Sequence, residues 1–193
     1  MPDKRHLFTL TLALPVLAIA ACSPESGTNT ASEPAAAETL SELEFEISVS
    51  YHASGYYLPN GGLTAGEWTV HHLFVGHRME FDAWRAAGAA ADEIPVWLSL
   101  NPVEGETAVN ELGQTYYLDS RRIRPDSLTL TDGSFEFRAQ DETLGLILIS
   151  GQIQPDYLHT GVSPQEDAPA LIGGAEMGGE RIRNISFMHW LGD

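Results

Sequence analysis

The sequence predicts a mainly β domain, an antiparallel β-barrel or β-sandwich of about eight strands carrying one short amphipathic helix. Three observations point there. From Leu43 onward, apolar and polar residues alternate with a period of two in run after run. A preferred two-residue hairpin turn, Asp132-Gly133, lies between two of these runs. One segment alone, His77–Ala91, has the spacing of a helix.

The first run sets Phe45, Ile47, Val49 and Tyr51 against Glu44, Glu46, Ser48 and Ser50, giving one apolar and one wet face. Asn60-Gly61 marks a turn, and Trp68, Val70, His72 and Phe74 then alternate within 67–75, which would put all four on one face. In His77–Ala91, Phe81, Trp84 and Gly88 recur at helical spacing among alanines, arginines and acids, so a helix should lie against the sheet. Pro95 suits the start of a strand, and Val96, Leu98 and Leu100 continue the alternation.

The hairpin over Ser127–Arg138 is the clearest element. A turn at Asp132-Gly133 makes Leu130 face Phe135 and Leu128 face Phe137, with Thr129 and Glu136 on the opposite side. A slip of one residue would destroy that agreement. Leu144, Leu146 and Leu148 with Ile147 and Ile149 are apolar on both sides, as in a central strand, and the three strands together read as a meander. Arg181–Leu191 reads as a closing strand. Ile182 and Ile185–Phe187 differ in parity there, which implies a bulge near Asn184 or a later start of the strand. Between Gln154 and Glu180, three prolines (Pro155, Pro164, Pro169) and two Gly-Gly pairs predict a long connection, with Gly173–Glu180 a flexible loop.

The chain has 193 residues, 43% of them hydrophobic, enough for one packed domain and little more. Its 10 basic and 27 acidic side chains give a net charge of −17. That balance excludes a nucleic-acid partner, because phosphate binding needs clustered Lys and Arg. One cysteine excludes an internal disulfide and any multi-cysteine zinc or iron–sulfur site.

Lys4 and Arg5 precede an uncharged apolar run, Leu7–Ala21, of about 15 residues, short of the roughly 20 needed to span a bilayer. A signal peptide fits this segment. Its end, Ile19-Ala20-Ala21-Cys22, resembles the lipobox of bacterial lipoproteins. The resemblance covers residues 1–22 only. It implies cleavage between Ala21 and Cys22, a diacylglycerol on the Cys22 thiol and acylation of the new amino group. It also implies a place in the lipid-anchored cell envelope, and Ser23 after the cysteine leans towards the outer membrane, facing the periplasm. The expected organisation is a signal peptide over 1–21, an acylated flexible tether over 22–41 and a globular domain over 42–193. Loss of residues 1–21, with Asp3, Lys4 and Arg5, leaves eight arginines and 26 acids, a charge of −18. Such a body is repelled by anionic lipid, so attachment needs at least two acyl chains.

Several clusters invite a chemical reading. His52, His72 and His77, with His71 close by, are candidate metal ligands. On a regular strand, however, His71 and His72 point to opposite faces. The pairs Asp92-Glu93, Glu104/Glu106, Asp141-Glu142 and Glu166-Asp167 read as a solvated acidic surface, and neither G-x-S-x-G nor S-x-x-K is present. The run 173–180 has two glutamates and no lysine, which disfavours a phosphate cradle, and no cofactor motif is found. Arg121-Arg122-Ile123-Arg124 is expected to pair with nearby carboxylates. Tyr56-Tyr57 and Tyr116-Tyr117 each turn one ring outward from an extended chain, a candidate surface for an envelope protein or a glycan. The leading expectation is a non-catalytic binding or accessory domain. A carrier with an apolar ligand in a barrel cavity, and a metal- or carboxylate-dependent hydrolase, are the alternatives.

Overall fold

A computed structural model describes residues 44–158 and 168–192. The signal segment, Cys22, the tether, Pro164 and Glu166-Asp167 lie outside the described residues. In chain order the first strands are β1 (Phe45–Ser48), β2 (Gly55–Pro59), β3 (Thr64–Ala65) and β4 (Trp68–Val75), followed by helix α1 (Arg78–Ala86). Next come β5 (Val96–Pro102), β6 (Thr107–Val109), β7 (Thr115–Tyr117), β8 (Arg121–Ile123), β9 (Ser127–Thr131) and β10 (Phe135–Asp141). The last are β11 (Gly145–Ile153), β12 (Leu171–Met177) and β13 (Glu180–Trp190). The fold is mainly β, as expected.

One strongly curled sheet forms a half-barrel in the order β1-β9-β10-β11-β12-β13-β2-β4-β5-β8, with β3 paired to β4. The strips β6 and β7 make a separate two-stranded sheet. Every pairing is antiparallel except β1 with β9, where Phe45 aligns with Leu128 and Ile47 with Leu130. The sheet is therefore mixed rather than purely antiparallel. A parallel pair needs a long crossover, and here about half of the domain separates the two strands.

The β9–β10 hairpin has the predicted register: Phe135 faces Leu130, Phe137 faces Leu128, and Thr131 N donates to Ser134 O at 2.9 Å. All four apolar side chains are buried, each such burial contributing about 1.5–3 kcal/mol. β11 lies between β10 and β12, the central place its two-sided apolarity called for. In β13 the register skips Asn184, whose φ is +59°, so the bulge falls where the parity change put it.

Two expectations need correction. Gly173-Gly174 belong to β12 rather than to a loop. Gly151 and Gly173 face each other across β11 and β12, and a Cβ on either would run into the opposite backbone. Glycine here serves close approach, not flexibility. Helix α1 ends at Ala86, so Gly88 lies beyond it with φ +106°, followed by Ala89 at +56°. Its buried residues are Phe81 and Trp84, and Trp84 meets Phe45 edge-on at 5.2 Å. The chain does bend at Asn60-Gly61, but the tight turn joining β3 to β4 is Gly66-Glu67. Among the described residues no helix is long and apolar enough to cross a membrane.

Candidate functional site

The inward face of the sheet is lined with Tyr57, Leu73, Leu98, Phe135, Phe137 and Phe187, all fully buried. The outward face of β13, β2, β4 and β5 is unusual. Register aligns Trp190 with Tyr56, Tyr56 with Phe74, and Phe74 with Trp97, so four aromatic side chains cross four strands in one row. Ring centroids are 5.5 Å apart for Tyr56 and Trp190, 5.1 Å for Tyr56 and Phe74, and 4.0 Å for Phe74 and Trp97. The last pair is nearly parallel, at 24°. The Arg122 guanidinium lies over the Trp97 ring at 5.0 Å. Trp97 is thus flanked by Phe74 and by a cation, the geometry that rewards its quadrupole. Trp190, at one end, is 41% exposed. The indole Nε1 of Trp97 is buried without a hydrogen-bond partner among the described residues.

A β-bulge in β4 builds this row. Val70 aligns with Leu100 and His72 with Ser99, leaving His71 as the extra residue. The bulge shifts parity, so Val70, Leu73 and Val75 are buried while His72 and Phe74 turn outward. The expectation that Trp68, Val70, His72 and Phe74 share a face is corrected accordingly. So is the expectation that His71 and His72 point apart: their rings lie 4.9 Å apart and their Nδ1 atoms 2.9 Å apart. One ring must donate and the other accept, so at least one is neutral in this contact. Burial, then the charges of His71 and Arg122, push the His72 pKa down to about 4. Tyr56 meets His72 edge-on at 5.1 Å, joining the pair to the row.

The two tyrosine doublets behave differently. Tyr56 is in the outward row, whereas Tyr57 is fully buried and its hydroxyl donates to Ala53 O at 2.7 Å. Burial raises the Tyr57 pKa far above its ordinary value, so it stays a phenol. Its ring packs on His189 at 5.0 Å, and the His189 Nε2 lies 2.9 Å from Ser54 O. Gly55 has φ +140° and no room for a Cβ beside that imidazole, so glycine is required there. Tyr116 is 48% exposed on β7, in a strip whose neighbours Val109, Leu112 and Leu118 are also exposed. Tyr117 is half-buried.

The histidines form two pairs rather than one cluster. His77 caps α1: its Nδ1 accepts from Met79 N at 3.3 Å, and Glu80 Oε2 accepts from His77 N at 2.6 Å. The His52 ring stacks on it at 6.1 Å. His72 is engaged with His71 instead, and among the described residues no three His, Cys, Asp or Glu side chains are placed to hold a metal ion.

The basic run also divides. Arg121 forms an ion pair with Asp141 and lies over Trp68 at 4.9 Å. Arg124 donates to Ile94 O at 3.1 Å and Arg122 lies on Trp97, so among the described residues carboxylate pairing holds for Arg121 alone of the three. Asp141 is buried and does not belong to a solvated acidic surface. Burial pushes its pKa up, but the amides of Leu144 and Thr143 (each 3.0 Å) and the charge of Arg121 outweigh that, and the net shift is downward.

Comparison with known proteins yields no matching family model, no matching curated relative and no matching solved structure.

Proposed function

We propose that this protein is a bacterial cell-envelope lipoprotein whose β domain is a non-catalytic binding module for another envelope protein. Cys22, freed by cleavage after Ala21, carries the acyl chains, and residues 22–41 tether the domain to the membrane. The observation that carries the binding reading is the outward row Trp190–Tyr56–Phe74–Trp97 with Arg122 at its end. Trp, Tyr and Arg are the residue types that dominate binding energy where proteins meet. Large apolar area held on a solvent-facing sheet is a cost unless a partner covers it.

The ring geometry favours protein over glycan. Sugar rings stack on free aromatic faces, but the Trp97 ring is already covered by Phe74 and Arg122. At Trp97 those contacts leave little open face for a sugar, while a protein side chain can meet the row at its exposed Trp190 end. Mass spectrometry of the membrane-extracted protein tests the anchor: a diacylglyceryl and acyl mass on an N-terminal Cys22 is expected, and Cys22→Ser should release the protein to the soluble fraction. A bare thiol on a soluble protein would overturn that half. Tyr56→Ala with Trp190→Ala tests the surface; the lipidated, folded variant should lose its partner, and unchanged co-purification would overturn the other half.

A further inference from the structure

A cleft of about 350 Å³ opens between the β1–β2 connection and α1, at the small end of the range for ligand pockets. It shares no lining residue with the aromatic row. Among the residues that line it are Ser48, Ser50, Ser54, His52, Arg78 and Arg85. Arg78 and Arg85 stand seven residues apart on α1, two helical turns, and so share a face. Two of the eight arginines of the processed chain therefore line one cleft in a strongly acidic body.

Their states differ. Arg85 is spoken for: Nη2 donates to Ile47 O at 3.0 Å and Nη1 lies 3.8 Å from Asp82. Asp82 is the one carboxylate on the cleft wall, and it already faces Arg85. Arg78 makes no hydrogen bond and no ion pair among the described residues, so its fork of N–H groups is unused. The first turn of α1 contributes nothing further, because His77 and Glu80 already cap it.

We infer that this cleft binds a small carboxylate-bearing ligand, of dipeptide or sugar-acid size, with its carboxylate on the Arg78 guanidinium and its polar groups against Ser48, Ser50, Ser54 and His52. A guanidinium takes a carboxylate through two parallel hydrogen bonds, a match that an ammonium cannot reproduce. A monoanion fits better than a phosphate dianion, because the −18 body repels the second charge. Arg85, held by Ile47 O and Asp82, keeps the far wall in place and supplies no free fork.

The test is two-dimensional NMR of the full chain titrated with N-acetyl-alanyl-alanine, its C-terminal amide and inorganic phosphate. Saturable shifts confined to residues 48–54 and 78–85 are expected with the free acid, with affinity at least about tenfold above that of the amide. Arg78→Ala should abolish the shifts, Arg78→Lys should leave weaker ones, and Arg138→Ala on exposed β10 should change nothing. Helical circular dichroism of Arg78→Ala verifies that α1 still forms. Equal binding of acid and amide, tighter binding of phosphate, shifts elsewhere, or full binding by Arg78→Ala would each overturn the proposal. None of these results bears on the aromatic row, so the two readings fail separately.

Discussion

Two rows of outward side chains cross the same sheet with opposite chemistry. Over β9, β10, β11 and β12 the aligned residues are Thr129, Glu136, Ser150 and Gly174. Over β13, β2, β4 and β5 they are Trp190, Tyr56, Phe74 and Trp97. Both halves bury the same kind of inward face, with Phe135 and Phe137 in one and Tyr57 and Leu73 in the other. That row of the first half is short and polar, and the apolar residues on the same outward side, Leu146, Leu148 and Ile172, are aliphatic rather than aromatic. The aromatic half carries something that folding does not demand, and that contrast is the ground for reading it as a recognition surface.

The inward face is common to both halves, so its loss should dominate any change on the outside. Phe137→Ala is expected to destabilise the domain by about 3–5 kcal/mol, read as a lower midpoint in urea unfolding. Next in size is the outward pair of substitutions that separates the rows. Phe74→Ala removes a half-buried ring stacked on Trp97 and should cost about 1–2 kcal/mol, whereas Glu136→Ala should stay within about 0.5 kcal/mol. Equal costs would erase the comparison.

Two titrations sharpen it further. The folded pKa of Asp141 lies below its ordinary value, so the unfolded chain binds the extra proton first. The stability that the Leu144 and Thr143 amides and Arg121 give this carboxylate is present above the ordinary carboxylate range and is lost as pH falls through the folded value. Unfolding midpoints measured on the acid side should drop, and Asp141→Asn should flatten that drop. His72 acts in a higher window. With a folded pKa of about 4 against an ordinary 6.5, it stays neutral at neutral pH. Its contribution is intact above pH 6.5 and declines as pH falls to about 4. His72→Gln should remove that slope, and no matching slope should come from the polar half.

What the sequence showed depended on whether the deciding contact was local. The β9–β10 register follows from a turn and its flanking alternation, all within Ser127–Arg138, and it was legible. The Asn184 bulge was legible because Ile182 and Ile185 lie on opposite parities. The β4 bulge was hidden because Trp68, Val70, His72 and Phe74 mimic an unbroken alternation, although the step from Val70 to Leu73 and Val75 marks it. The pairing of β1 with β9 spans some eighty residues and leaves no local trace. Gly173-Gly174 looked like a loop because composition does not reveal that Gly151 stands opposite. Tyr56 was picked out by its neighbour, but its partners Phe74, Trp97 and Trp190 come from three other strands and were not. The Arg78 guanidinium, unpaired among the described residues, likewise depends on what the β1–β2 connection places opposite α1.

Site-specific photocrosslinking in the native envelope tests the recognition surface most directly. A photoreactive residue replacing Trp190 should give a defined protein adduct, and the same residue replacing Glu136 should give none. Adducts of equal yield at both positions, or at Glu136 alone, would contradict the account.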